Sequence, residues 1–199
     1  MSTLADLKRR IAGELNRRDL TAEIAEQVAR AIEFHAERRF WFNEDTRTVA
    51  TVAGQGSVDA PAGLRVADAV FVEVGGYRHA LRARSPAVLA AWSAGGITGQ
   101  PTDYALTGGR MELYPRPNAA YPLSVVGVYD LAAPEEDEAN AWTEAAADLI
   151  ANRVMAVLFA IKLRDPEGAA SAKAAELEAL KRLRGETARR LSLGRVACA

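Results

Sequence analysis

The chain is poor in the residues from which reactive centres are built: it holds one cysteine and two histidines among 199 residues. Cys198 is next to last, so it closes no internal disulfide and joins no metal-binding cysteine cluster. His35 and His79 fall on different expected elements, with no acid or cysteine at ligand spacing, and no metal site is expected. His35 reads as a core-edge histidine on an apolar helix face, and His79 as an exposed strand residue. Long apolar runs are also missing. The longest, Val154 to Ile161, lies between Arg153 and Lys162 and falls far short of the roughly 20 residues of a membrane helix, so it reads as a buried helix and no membrane partner is expected. The opening MSTLADLKRR lacks the continuous apolar stretch of a signal peptide, and the protein is expected to act inside the cell. Neither sign of charge dominates: 25 Lys and Arg stand against 26 Asp and Glu, so bulk charge names no partner. With 49% hydrophobic residues, the chain can bury the core of one ordinary domain, or of a helical domain carrying an insertion.

Two helices open the chain. Leu4, Leu7, Ile11 and Leu15 recur at helical spacing after the capping candidates Ser2 and Thr3, and this first helix should end near Asn16. A second, from Asp19 or Thr21, places Ile24, Val28, Ala31, Ile32 and His35 on one face. The first 45 residues carry eight basic and nine acidic groups, which gives no basic face for reading DNA. After Phe40-Trp41-Phe42 the period changes from 3.6 to 2, with Thr46, Thr48, Ala50 and Val52 alternating with Arg47, Val49 and Thr51. Gly75-Gly76 joins strands at Val70–Val74 and Tyr77–Leu81, and Gly108-Gly109 joins Asp103–Thr107 to Arg110–Tyr114, since paired glycines accept the positive φ of tight hairpins. Between them Ser85-Pro86 starts a short helix, with Val88, Leu89 and Trp92 on one face, that Gly95-Gly96 stops. Tyr121 to Tyr129 supplies another strand.

Helix returns after the acidic run Glu135 to Glu138, where Trp142, Ala146, Leu149, Ile150, Val154, Val157, Leu158 and Ile161 make a broad apolar face. Asp165-Pro166 restarts a last helix carrying Ala170, Ala174, Leu177, Leu180 and Leu183. From Ala179 onward six basic residues stand against the single acid Glu186. Such an end is either a solvated, poorly ordered terminus or an arm that orders against an acidic partner surface.

The expected fold class is α+β: a helical bundle of two N-terminal and two C-terminal helices with an inserted antiparallel β region containing one short helix. Its expected parts are a helical hairpin over 1–44, the β region over 45–133, C-terminal helices over 134–185 and a basic arm over 186–199. Phe40, Trp41, Phe42 and Trp142 are expected to pack where the β region joins the helices. No nucleophile beside a base, no converging carboxylates and no phosphate-cradling loop can be found. The glycine-rich stretch Gly95 to Pro101 follows a helix, whereas an anion site would precede one. No enzyme and no cofactor are expected.

Arranged this way, the chain resembles the head-to-tail adaptor proteins of tailed phages, also called connector or head-completion proteins, some of which occur in gene transfer agents. The resemblance spans roughly Ile24 to Ala170 and is carried by a helix ending in Arg39-Phe40-Trp41-Phe42-Asn43-Glu44 and by the threonine-rich strand running to Ala53-Gly54. Further carriers are Gly99-Gln100-Pro101-Thr102-Asp103-Tyr104-Ala105-Leu106, Leu113-Tyr114-Pro115-Arg116-Pro117, and Asn140-Ala141-Trp142 opening the long helix. Val58-Asp59-Ala60-Pro61 departs from the family's pattern of an aromatic residue and a leucine before the proline, which touches the edge of the sheet.

The resemblance implies a structural protein of the virion neck, made in the bacterial host cytoplasm. It would form a homo-oligomeric ring of about twelve subunits closed by heterologous contacts. Its implied partners are the portal protein above, tail, nozzle or stopper proteins below, and double-stranded DNA only as cargo passing through the lumen. By its position in the chain, the C-terminal arm would reach the portal through Arg184, Arg189, Arg190, Leu191, Leu193 and Arg195, joining charge steering to apolar anchoring. Two other readings remain: another neck or tail-completion protein such as a stopper or tail terminator, and a small DNA-binding regulator using the basic terminus.

Overall fold

The computed structural model describes residues 1–196, with side chains through Leu191. It divides into a helical unit, Met1–Phe42 together with the chain from Leu131 onward, and a β unit, Asn43–Asp130.

In the helical unit, α1 (Leu4–Glu14) starts at a capping box: Thr3 Oγ1 accepts from the Asp6 N–H and the Asp6 carboxylate accepts from the Thr3 N–H, so two backbone donors that a helix start leaves open are satisfied. Leu4, Leu7 and Ile11 point into the core. α2 (Thr21–Ala36) buries Ile24, Val28, Ala31, Ile32 and His35. It stops earlier than the aromatic run suggested: a turn follows Ala36, and Trp41–Asn43 form a short 3₁₀ turn. Three successive aromatics on a continuous helix would point in three directions, and the break lets Phe40 and Phe42 face the same partner.

α4 (Ala147–Leu158) also begins later than expected. Residues 140–146 are a series of turns, closed by the Thr143 and Glu144 N–H groups donating to the Asn140 carbonyl and by Ala146 N–H donating to Ala141. At Phe159–Leu163 the helix widens into a π segment and ends at Arg164 in the left-handed region. That widening takes Ile161 off the apolar face on which a regular period would put it, and it is exposed. α5 (Pro166–Val196) restarts at Asp165, whose Oδ1 accepts from Gly168 N–H at 2.9 Å. Gly168 is needed there, because a Cβ would lie 2.9 Å from the Phe159 ring.

The face that α5 buries agrees with the expected residues at Leu180 and Leu183 and differs from them elsewhere. Ala172, Glu176, Ala179, Leu180, Leu183 and Thr187 are buried, while Leu177 is 54% exposed and Ala170 and Ala174 are also exposed. α5 runs without interruption through residues 185 and 186.

The β unit encloses its own core between two four-stranded sheets. One has the order β1 (Glu44–Ala50), β10 (Pro122–Tyr129), β3 (Leu64–Val74) and β4 (Tyr77–Ala80), all antiparallel. The other has the order β2 (Ser57–Asp59), β8 (Arg110–Tyr114), β7 (Asp103–Thr107) and β5 (Arg82–Ala83). Two short pairings are parallel, β5 with β7 and β6 (Thr98–Gly99) with β9 (Arg116–Pro117). Val70, Val72, Leu123 and Val125 from the first sheet meet Tyr104, Met111 and Leu113 from the second. Both glycine pairs adopt positive φ, as two-residue hairpins require: Gly75 and Gly76 at 58° and 82°, Gly108 and Gly109 at 57° and 79°. The departure at Val58-Asp59 falls on β2, which pairs with β8 at the edge of its sheet.

The short helix α3 (Pro86–Ser93) buries Leu89 alone. Val88 and Trp92 are partly exposed, and the Trp92 ring packs on Tyr114 with Arg84 above it. Beneath, Asp103 is buried and joined to Arg82, Arg84 and Thr102. Burial acts to raise its carboxyl, but the hydrogen bonds from Arg84, Thr102 and Arg82 outweigh that and hold it below the usual carboxylate value.

Gly127 sits at the bulge where β10 and β3 shift register between Val126 and Gly127. A Cβ at this position would collide with the Val66 carbonyl and crowd the Ala67 backbone, neither of which can rotate away. Gly127→Ala should lower stability by about 1–3 kcal/mol, read from urea unfolding of the full chain.

Candidate interaction surface

Trp142 is fully buried and packs against two phenylalanines, edge-on to both, with ring centroids 6.1 Å from Phe40 and 5.1 Å from Phe42. Phe40 and Phe42 stack on one another at 5.1 Å. The indole N–H donates to the Leu131 carbonyl at 2.8 Å. Asn140 holds the backbone ahead of it: Oδ1 accepts from Trp142 N–H, Nδ2 donates to the Ala132 carbonyl, and the Asn140 N–H donates to Thr143 Oγ1. The four aromatics singled out in the sequence are thus brought together in the helical unit, with Trp41 edge-on to Phe42.

Trp41 extends the cluster to the end of α5. Its backbone N–H donates to Thr187 Oγ1 at 3.1 Å, and the Thr187 hydroxyl in turn donates to the Leu183 carbonyl. The Arg190 guanidinium lies 3.7 Å from the centre of the Trp41 ring and also pairs with Glu186. The basic segment therefore has no boundary at Gly185: Thr187 and Arg190 are fastened to the helical unit, with Thr187 only 6% exposed. Arg184 and Arg189 are exposed and Leu191 is 40% exposed. The side chains of Leu193 and Arg195 lie outside the described residues, as does Cys198.

One charged cluster carried no signal in the sequence. Glu176 of α5 is buried at 2% exposure, with Lys173 Nζ at 2.8 Å, Arg153 Nη1 at 3.6 Å and His35 Nε2 at 3.4 Å. Arg153 also covers the Phe34 ring at 3.9 Å. Burial pushes the His35 imidazole down to about 4, against the opposing pull of Glu176 and together with repulsion from Arg38, Arg153 and Lys173, so it is neutral near pH 7. A glutamate at position 176 within an alanine-rich helix looks solvent-facing in one dimension, and only the rotation of α5 buries it. His79 is exposed on β4.

No group of three or more His, Cys, Asp or Glu residues that could hold a metal ion occurs among the described residues. No described helix is long and apolar enough to cross a membrane. What the helical unit offers is surface: outward rows of small and charged side chains on α2 and α5. The family described as the SU10 adaptor protein matches the chain over residues 2–197. No curated protein matches it.

Trp142→Ala should cost roughly 3–5 kcal/mol, measured by chemical denaturation, with the loss falling on the helical unit. A second outcome concerns pH. The folded pKa of His35 lies below its unfolded value, so the unfolded chain takes up the proton first, and stability should fall as pH drops from about 6.5 toward about 4. His35→Leu should flatten that part of the stability profile, and an unchanged slope in urea titrations at pH 7 and pH 5 would show that other groups set it.

Proposed function

The chain belongs to the SU10 adaptor protein family, and from that premise we propose that it is a structural head-to-tail adaptor of a tailed phage or gene transfer agent that forms a ring beneath the portal. The family assignment supports a place in the virion neck and a role in bridging, with no chemistry required of the subunit. About twelve copies, joined head to tail by heterologous contacts, close such a ring. Double-stranded DNA passes through its lumen, and a subunit of net charge -1 lets phosphates slide by without the tight holding that a strongly basic wall would impose.

The observation that carries the reading is the end of α5. The helix is continuous to Val196, is locked to the helical unit as far as Thr187 and Arg190, and displays Arg184, Arg189 and Leu191 outward. A helix anchored at one end and bearing cations with an apolar residue at the other suits docking on an acidic portal surface, where arginine hydrogen-bonds carboxylates in pairs. The proposed portal-binding arm is Arg184, Arg189, Arg190, Leu191, Leu193 and Arg195, of which Arg190 is also fastened to Trp41 and Glu186.

Electron microscopy of the protein mixed with the portal ring of its own particle tests the proposal, the portal alone serving as reference. An added ring of density beneath the portal is expected, and its symmetry gives the copy number. A chain ending at Arg190 keeps the contacts of Thr187 and Trp41; it should fold normally yet fail to add to the portal, and unchanged binding by it refutes the arm. If the folded wild-type chain adds no density to the portal but binds the tail tube, the subunit is a stopper or tail terminator.

A further inference from the structure

The two outward helix faces of the helical unit carry opposite charge. On α2 the exposed row is Ala22, Glu26, Ala29 and Glu33, with Glu37 one turn beyond. On α5 it is Ala174, Leu177 and Lys181, ahead of the arm that begins at Arg184. Both rows repeat at alternate steps of four and three residues, the spacing at which one helix face meets another along its length. Alanines let the two backbones approach closely, and Leu177 is a large apolar side chain left 54% exposed in the single chain. Arg30 pairs with Glu26 within α2, so the outward charge of that face rests on Glu33 and Glu37.

Resting on the adaptor reading above, we propose that the α2 face of one subunit packs against the α5 face of the next, and that this contact between copies of the chain closes the ring. Within one chain α2 and α5 meet through their buried sides, at His35 and Glu176, so the outward rows are turned away from that contact and need a second copy to meet. The charges also select the geometry. Two α2 faces would oppose carboxylate to carboxylate, and two α5 faces would oppose Lys181 to its own copy, so a two-fold dimer through either face is disfavoured. An α2-to-α5 contact is attractive and heterologous, and heterologous contacts are those that generate rings.

The test uses full-length chains added to the portal, with ring density counted by electron microscopy and folding checked by thermal unfolding. One variant, Glu33→Lys with Glu37→Lys, makes the α2 face basic. The other, Leu177→Glu with Lys181→Glu, makes the α5 face acidic and leaves the portal arm alone. Each by itself should lose ring occupancy by more than about tenfold, because like charges then face each other at every contact. An equimolar mixture should restore the ring, since a basic α2 face then meets an acidic α5 face, and an unmodified α2 face meets an unmodified α5 face, in alternation. Full rings from either variant alone, or no recovery in the mixture, overturn the α2-to-α5 contact and leave the adaptor role standing. Absence of a ring from the wild-type chain overturns the adaptor role and the contact with it.

Discussion

The helical unit depends on Trp142 being packed against Phe40 and Phe42, because that contact joins chain segments separated by the whole β unit. α1 and α2 by themselves expose the apolar rows of Leu4, Leu7, Ile11, Ile24, Val28 and Ile32, and α4 exposes Leu149, Ile150 and Val154; these sides are buried only when the two segments share one core. The insertion is tolerated because its two ends, Phe42 and Leu131, are fixed by the same indole, packed edge-on against one and hydrogen-bonded to the other. Aromatic rings bury a large area at little conformational cost, which makes them suited to closing a core around an interruption.

Electrostatics inside this unit follow from where α5 lies. Glu176 is brought into the interior among Lys173, Arg153 and His35, and a buried carboxylate with such partners does little for net stability but penalises any register of α5 that would leave it unpaired. The surrounding charges have a further effect on His35, which burial keeps neutral. The outer faces obey a different rule. There charge is partly paired within each helix, as Arg30 with Glu26 and Arg190 with Glu186, and the remainder is sorted, acidic at Glu33 on α2 and basic at Lys181 and Arg184 on α5. Sorted charge on rigid helices carries information about partners and their orientation.

The β unit is organised by its turns. Two glycine pairs set two hairpins, and Gly127 permits the close passage of β10 past β3. Asp103, held by Arg82, Arg84 and Thr102, then ties the parallel β5 to β7 and brings Arg84 over Trp92 of α3. Exposed side chains such as Tyr77 on the first hairpin and Trp92 on α3 lie on elements that these devices hold in fixed shape.

The α+β class, the two glycine hairpins, a helix cap at Ser2 or Thr3 and the restart of helix at Asp165 were legible in the sequence, because each rests on a local rule: a period, a cap or a positive φ. The grouping of Phe40, Trp41, Phe42 and Trp142 was legible as aromatic content beside a change of period, and the family resemblance as an order of motifs. The early stop of α2 was not, since it depends on what Phe40 and Phe42 pack against, and neither were the late start of α4 and the π widening at Ile161, which answer to the shape of the shared core. The burial of Glu176 and the exposure of Leu177 illustrate the division. The sequence by itself determined that α5 is a helix with small, charged and apolar side chains, because helix formation depends on neighbours within a few residues. Only the tertiary structure decided which of its faces turns inward, because adjacent residues on a helix point in different directions and the choice is made by the surface they pack against.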